Sequence, residues 1–282
     1  MTVKYLALRP VLGAKYNMAD DAVHGHMTTM TNILASIVHD FYVNWPKQME
    51  KQAIFNTFNS HKQMPMCIGI IDGTLVQTFG FYERREEMNT RKCHYGFNVL
   101  LISDDQVFIR QDWCDQAGSE ADSTILRESD FYNSIAEHVG NTNCPARPFY
   151  LISDKSIQSY DDIVFPFQEV GYTLSNKQQY FNAKLQQARA LIERVNGVVK
   201  SRYSSVGDGL RVSELKIEQM VAACVALHNF DLSTGDLVLF NNEYNIHTMT
   251  ESNIALMAIP YSYLPAISTR SWLFDLMTSH IL

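Results

Sequence analysis

The sequence lacks the features of secreted, disulfide-stabilised and membrane proteins. Its five cysteines are odd in number and include no Cys-x-x-Cys pair, which favours free intracellular thiols over a disulfide framework or a zinc site. No apolar run approaches the roughly 18 residues of a membrane span, and the N-terminus has no sustained apolar core with a cleavage site. We therefore expect neither a membrane protein nor a secretory signal.

The chain also lacks an excess of positive charge. Its net charge of −7 argues against a uniformly basic DNA-binding protein, because phosphate neutralisation supplies most non-specific affinity. The charge is unevenly distributed, since residues 184–211 contain six basic and two acidic side chains, whereas residues 231–282 contain one basic and five acidic. A local DNA-binding surface within 184–211 and a set of ordinary solvated helix charges both remain open.

The chain is long and apolar enough to bury a sizeable core. Its 282 residues, 46% of them hydrophobic, suit one large domain or two modest ones. Helical periodicity runs through residues 1–62. Within it, one buried helical face is predicted by the spacing of Met27, Met30, Ile33, Leu34 and Ile37.

From residue 63 the pattern changes to short runs that are typical of strands. MCIGIID, FNVLLIS and QVFIRQDW predict three consecutive strands, with Asp104 and Asp105 in a hairpin turn between the last two. A helix capped by Ser119 and a strand at PFYLIS follow. The segment NAKLQQARALIERVNGVVKSRY then predicts a long helix.

Three carboxylates stand out in this arrangement. Asp72 and Asp154 each close a predicted strand, and Glu193 lies on the long helix. Neighbouring strands lie about 5 Å apart, so acids at their ends can share a metal ion. Mg²⁺ prefers carboxylate ligands, and a pair of divalent ions suits in-line attack on a phosphodiester. This set therefore indicates phosphodiester chemistry.

The predicted long helix presents Glu193 beside basic residues. Its apolar face is predicted to contain Leu185, Ala188, Ile192, Val195 and Val199. Along an adjacent stripe lie Arg189, Glu193, Gly197 and Lys200. A simple surface pair of Arg189 with Glu193 is the alternative to a functional stripe.

Five segments in a fixed order carry a resemblance to a known family. They are IDGT at 71–74, RKCHYGFNVLLISDD at 91–105, GSEADS at 118–123, FNAKLQQARALIERVNGVVKSRY at 181–203 and VAACVALHNF at 221–230. Together they resemble the nuclease domain of PIF/Harbinger-type DDE transposases, including relatives that hosts have domesticated. The resemblance covers residues 40–230.

The resemblance implies an α/β fold, namely an RNase H-like mixed sheet with flanking helices and a helical N-terminal region. It divides the chain into a helical N-terminal region at 1–62, a DDE nuclease domain at 63–230 and a C-terminal extension of unknown role at 231–282. That extension is apolar and aromatic enough to pack on the core or on another subunit.

On this resemblance Asp72, Asp154 and Glu193 form the catalytic, metal-binding triad and hold Mg²⁺ or Mn²⁺, as two ions. The sequence departs from the family after Asp154, where Lys155, Ser156 and Ile157 replace a small residue, Gly and Tyr. Lys155 can therefore pair with Asp154 or take the metal's place. Either Asp161 or Asp162 remains an alternative second acid.

Other residues also match the family, and each has a second interpretation. Asp122 either supports the metal site from behind its ligands or helps a helix to begin, and His228 is more readily a buried hydrogen-bonding residue than a ligand. The expected DNA contacts, for which surface solvation is the alternative, are Arg91, Lys92, Arg189, Lys200 and Arg202.

These patterns predict a nuclear, metal-dependent endonuclease or transposase that cuts double-stranded DNA and transfers the strand. The resemblance also implies a Myb-like DNA-binding partner and a homo-oligomer. The first alternative is a domesticated, catalytically weak relative that acts as a DNA- or protein-binding module. A small-molecule phosphohydrolase would use similar acids but leaves the ordered motifs unexplained.

Overall fold

We describe a computed structural model of the chain over residues 9–79, 95–140, 149–157, 162–171, 173–210, 212–235 and 269–281. The chain begins with helices and turns to strands at residue 67, as the change of periodicity predicted. The N-terminal helices are α1 (Arg9–Tyr16), α2 (Asp20–Ile33), a π-helical turn (Leu34–Val38), α3 (His39–Tyr42) and α4 (Gln48–Lys62).

An α/β region and a helical region follow. The strands are β1 (Cys67–Gln77), β2 (Gly96–Ser103), β3 (Ile109–Ala117), β4 (Tyr150–Ile152) and β5 (Ile163–Val164). The later helices are α5 (Asp122–Glu128), α6 (Asp130–His138), α7 (Asn176–Arg202), α8 (Ser204–Gly207), a 3₁₀ turn (Glu214–Lys216), α9 (Ile217–Ser233) and α10 (Thr269–Thr278).

The five strands form one mixed sheet in the order β3-β2-β1-β4-β5. Strands β1, β2 and β3 pair antiparallel, whereas β4 is parallel to both β1 and β5. This sheet with flanking helices confirms the predicted RNase H-like α/β fold. Strand β5 was not predicted, because a two-residue strand is too short to produce a periodic pattern.

Strand β1 is longer than predicted. The apolar run ends at Asp72, but pairing with β2 continues from Gly73 to Gln77. Asp72 therefore lies within the strand and does not close it. The hydrogen-bonded partner β2 extends β1 past its apolar part, and an apolar run cannot reveal such an extension.

The core lies on both sides of the central strands. The predicted apolar face of α7 is buried, from Leu185 to Val199. Helix α4 adds Ile54 and Phe58 to the same core, and α10 adds Leu273. The part of the C-terminal extension that the structure describes therefore packs on the core, as its apolar composition suggested.

Two groups of helices cover opposite faces of the sheet. Helices α7 and α9 meet the face that carries Thr74, Val76 and Leu101. On the other face α6 packs through Phe131 against Trp113 of β3. Because side chains alternate along a strand, neighbouring residues of β1 face different helices.

The predicted buried helical face is wrong for three of its five residues. Met30 is 58% exposed and Ile37 is 70% exposed, and Ile33 is also exposed. Met27 is partly buried against the core, as predicted, and Val23 is the fully buried residue of α2. Periodicity identifies residues that share a helical face, but it does not tell whether another element covers that face.

The predicted cap at Ser119 is also wrong. The segment forms two helices, and α5 begins only at Asp122, after Ala121. Ser129 separates the two helices, and its hydroxyl accepts a hydrogen bond from the backbone N–H of Tyr132 at the start of α6. The extended backbone of Ser129 is what interrupts the helix predicted as continuous.

Within the described residues, Cys67, Cys114 and Cys224 are free and buried, which agrees with the predicted free thiols. Cys93 and Cys144 lie outside those residues. No helix in the described ranges is long and apolar enough to cross a membrane.

The β2–β3 turn contains two adjacent acids with different surroundings, as the predicted hairpin placed them. The Asp104 carboxylate accepts hydrogen bonds from the backbone N–H of Gln106 and Phe108 and from Arg110 Nε at 2.7 Å. Both carboxylate oxygens of Asp105 are shielded from solvent, with the Thr57 side chain as a polar neighbour. Burial, and then the charge of Asp104, raise the pKa of Asp105 to about 8.

We expect Asp105→Asn to stabilise the protein by about 1–3 kcal/mol near pH 9, because the amide removes a buried negative charge beside Asp104. A raised folded-state pKa means that the protonated acid favours the fold, so wild-type stability should fall as the pH rises from about 4 to about 8. The variant should lose this dependence. Urea unfolding across this pH range measures both effects.

Asp208→Asn is the matched control, because it removes the same charge from an exposed side chain. Its stability should stay within about 0.5 kcal/mol of wild type at each pH. A variant at residue 105 that follows the wild-type pH curve would show that Asp105 is not the group responsible.

Candidate active site

The first acid, Asp72, projects from β1 toward α7. Its Oδ1 accepts a hydrogen bond from Arg189 Nη2 at 3.0 Å, and its Oδ2 accepts one from Asn196 Nδ2 at 3.2 Å. The Asp72 side chain is 14% exposed and that of Arg189 is 19% exposed. The long helix therefore holds both oxygens of this carboxylate, and an arginine is its charged partner.

The second acid, Asp154, follows the end of β4 beside β1. Ile70 and Ile152 are partners in the parallel β1–β4 pairing, so Asp72 and Asp154 each lie two residues beyond that pair. Asp154 Oδ1 accepts hydrogen bonds from the Ser156 backbone N–H at 2.7 Å and from the Ser156 hydroxyl. The local turn thus orients the second carboxylate at the level of the first.

A third acid, Asp122, reaches the same place from the other face of the sheet. It begins α5 and lies against Gly73, where a Cβ atom would come within 2.2 Å of Asp122 Oδ1. Asn98 Nδ2 donates to Asp122 Oδ1 at 2.7 Å, and the Ser156 hydroxyl lies 3.0 Å from Asp122 Oδ2. Only glycine at position 73 permits this approach.

Ser156 joins two of the acids. Its hydroxyl contacts Asp122 and Asp154, and because a hydroxyl carries one hydrogen it can donate to only one of them at a time. The position of Asp154 is therefore coupled to that of Asp122. Ser156 departs from the family pattern, and in this structure its hydroxyl contacts both acids.

The acids influence each other electrostatically. Burial raises the pKa of Asp72 to about 6, Arg189 opposes that rise, and the charges of Asp154 and Asp122 add to it. Burial and the two neighbouring acids together therefore outweigh the effect of Arg189 on the Asp72 carboxylate. A cation bound at Asp72 would favour its charged form.

Glu193 lies beside this cluster without touching it. It occupies α7 between the two residues that bind Asp72, about 6 Å along the helix axis from Arg189 and about 4.5 Å from Asn196. Its side chain is exposed and forms no hydrogen bond or ion pair with the described part of the chain. Glu193 is thus at the axial level of Asp72, on the solvent side of the helix.

The structure therefore brings together Asp72, Asp154 and Asp122, with Glu193 at their edge. Among the residues that the structure describes, no three His, Cys, Asp or Glu side chains are close enough to hold a metal ion. The donor chemistry nevertheless fits a hard divalent cation, because carboxylate oxygens are the ligands that such ions prefer. Such an ion would have to displace Arg189 from Asp72.

The other predicted site residues lie as follows. Lys155 is exposed beside Asp154. Lys200 Nζ donates to the Leu75 carbonyl at 2.7 Å, and Arg202 Nη1 binds Asp231 at 2.7 Å. Arg91, Lys92 and Asp161 lie outside the described residues, and the carbonyl of Asp162 accepts a hydrogen bond from the Leu151 N–H of β4.

Three polar residues of the site were not predicted from the sequence. They are Asn98, Asn196 and Ser156, whose hydroxyl links two of the acids. Asn196 follows Arg189 by seven residues and so shares its helical face, which is a signal that the sequence offered. Asn98 and Ser156 carry no such signal, because their contacts join β2, α5 and the β4 turn across long stretches of chain.

His228 has a structural role, as the sequence suggested. It is fully buried, its Nε2 lies 3.0 Å from the Val107 carbonyl oxygen, and burial lowers its pKa to about 4. Its neighbour Asn229 accepts from the Ile109 N–H at 2.9 Å and donates to the Ile109 carbonyl at 2.7 Å. These two residues attach α9 to the edge strand β3.

Comparison with known proteins agrees with this geometry. The DDE superfamily endonuclease family matches residues 71–229, which is more than half of the chain. No curated protein and no solved structure matches the chain. The matched range begins one residue before Asp72 and contains Asp122, Asp154 and Glu193. The chain therefore belongs to the DDE superfamily endonuclease family.

Proposed function

We propose that the protein is a PIF/Harbinger-type nuclease that cleaves double-stranded DNA and transfers the cut strand with an Asp-Asp-Glu triad. The observation that carries this proposal is the placement of Asp72 and Asp154 at one level of the neighbouring parallel strands β1 and β4. The excess negative charge around them supports a role in binding divalent cations.

In this proposal Asp72, Asp154 and Glu193 hold two Mg²⁺ or Mn²⁺ ions. When bound, the two ions neutralise the entering and leaving oxygens of the phosphodiester. Glu193 is suited to join them, because its carboxylate is exposed at the level of Asp72 and forms no hydrogen bond or ion pair in the described structure.

Asp122 acts in this proposal by positioning. It reaches Asp154 through Ser156 and lies against Gly73, next to Asp72 in the strand. Asn98 holds the other oxygen of Asp122 at 2.7 Å. These contacts fix the separation of the two strand acids before any ion enters, which reduces the reorganisation that catalysis requires.

The proposed DNA contacts are Arg91, Lys92, Arg189, Lys200 and Arg202. Lysine and arginine side chains carry three and five N–H donors, so the internal contacts of Lys200 and Arg202 do not by themselves prevent a phosphate contact. A Myb-like partner that reads the DNA ends, a homo-oligomer and a nuclear location complete the proposal.

Cleavage of supercoiled plasmid tests the function. We expect nicked and linear products with Mg²⁺ or Mn²⁺ and none with EDTA, because the acids need cations to act on a phosphodiester. Strand transfer is tested by joining of a labelled oligonucleotide with a free 3′-hydroxyl to the plasmid. Intact plasmid under every metal condition would contradict the proposal.

One observation favours a second candidate, a catalytically weak relative that binds DNA or protein. The cation on Asp72 in this structure is Arg189, so the first acid already has a charged partner. For this candidate we expect metal-independent binding of a labelled DNA duplex with no cleavage. Cleavage that requires Asp72 would exclude it.

A further inference from the structure

The pair of Arg189 and Asp72 occupies the place where the proposed function needs a divalent cation. Arg189 Nη2 lies 3.0 Å from Asp72 Oδ1, and both side chains are largely shielded from solvent. A carboxylate can satisfy a guanidinium or a metal ion at that oxygen, and binding of one weakens binding of the other through charge repulsion.

Arg189 is the basic side chain that contacts the Asp72 carboxylate. The ammonium of Lys200, farther along the same helix, donates to the Leu75 carbonyl. Arg194 lies on the other side of α7, about 140° around the helix from Arg189. The Arg189 guanidinium therefore repels any cation that binds Asp72.

The contact is also incomplete in hydrogen bonds. Arg189 Nε is buried and has no partner in the described structure, and the same is true of Asn196 Oδ1. Arginine binds carboxylates and phosphates best through two parallel N–H···O bonds, whereas here one Nη2 bond joins Arg189 to Asp72. A phosphate group could accept both hydrogen bonds from the Arg189 guanidinium, whereas Asp72 accepts only one.

We propose that Arg189 and a divalent cation compete for Asp72, and that Arg189, once displaced, binds a DNA phosphate. The inference rests on the proposed function, because it needs a metal ion at Asp72. Without metal, Arg189 holds the Asp72 carboxylate in place and neutralises part of the negative charge of Asp72, Asp122 and Asp154. With metal, the same side chain becomes a positioning residue for the DNA backbone.

This competition couples the two ligands. A phosphate that draws Arg189 away makes Asp72 available for the ion, and an ion at Asp72 frees Arg189 for the phosphate. Thermodynamic linkage requires that each ligand raise the affinity of the other by the same factor. Metal and DNA would thus each strengthen the binding of the other at this site.

The test is a titration of Mn²⁺ into the full-length, DNA-free protein by calorimetry. Arg189→Gln keeps a hydrogen-bond donor of similar length but removes the charge, so we expect Mn²⁺ to bind about tenfold more tightly than to wild type. Arg189→Lys keeps the charge and should stay near wild type. Arg194→Gln is the matched control, since it removes the same charge from the other side of the same helix.

Unchanged or weaker Mn²⁺ binding in Arg189→Gln would overturn the inference. If that variant does not fold without metal, its thermal unfolding is followed as Mn²⁺ is added, because an ion that binds only the native state stabilises it. Its melting temperature should then rise more than that of wild type. The absence of this larger rise would equally overturn the inference.

Asp72→Asn and Asp154→Asn separate this inference from the proposed function. If both bind Mn²⁺ as wild type does, the proposed metal site is wrong. If both lose Mn²⁺ while Arg189→Gln binds it as wild type does, the metal site stands and only the competition by Arg189 is wrong.

Discussion

Single replacement of Asp72, Asp154 or Glu193 by its amide should reduce metal-dependent DNA cleavage by at least about 10³-fold. Asparagine or glutamine keeps the shape of each side chain and its capacity to accept a hydrogen bond, but it removes the negative charge that a divalent ion requires. Single-turnover cleavage of a labelled duplex in Mg²⁺ measures the effect. Melting temperatures should change little, because Asp72 keeps an acceptor for Arg189.

Glu218→Gln is a suitable control for Glu193→Gln, because Glu218 is an exposed acid on α9 away from the acid cluster. It should cleave as wild type does. Near wild-type cleavage by Asp154→Asn together with loss in Asp122→Asn would move the second acid to Asp122. Near wild-type cleavage by Glu193→Gln would remove the helix acid from the catalytic set.

Gly73→Ala should lower cleavage by about 10²-fold, the effect expected when a catalytic group is displaced by about 1 Å. The added methyl group would lie 2.2 Å from Asp122 Oδ1, so the Asp122 side chain must move. That movement breaks the contact with Ser156 and so disturbs Asp154. Overpacking should also cost about 1–3 kcal/mol of stability in urea unfolding.

A second replacement tests whether the clash with Asp122 causes these effects. Gly73→Ala combined with Asp122→Ala should recover stability, since the shortened side chain leaves room for the new methyl group, while cleavage stays low. Gly25→Ala is the control, because a Cβ atom at Gly25 in α2 meets no atom within 4 Å. Stability that does not recover in the double variant would place the clash elsewhere.

Local patterns predicted much of the architecture. The apolar runs predicted β1 to β4 because alternating or continuous burial of a short strand depends on a few consecutive residues. The buried face of α7 was predicted in the same way, from the repeat of 3.6 residues between Leu185 and Val199. Strand order was not a local property, and it came from the family resemblance.

The same patterns failed where burial depends on a distant partner. Met30 of α2 and Ile37 of the following π-helical turn were predicted to share a buried face, yet both are exposed because no described element covers them. Strand β1 continues past Asp72 because β2 pairs with it over those residues. In both cases the outcome is set by a segment that lies elsewhere in the chain.

The sequence by itself determined the candidate acids, namely Asp72 and Asp154 on predicted strands and Glu193 on the predicted long helix. Only the tertiary structure decided which groups meet. Arg189 and Asp72 are 117 residues apart in the chain, and Ser156 and Asp122 are 34 apart. Helical and strand periodicity arise from neighbours within a few residues, whereas an ion pair forms wherever folding brings two charges within a few ångströms in a shielded place.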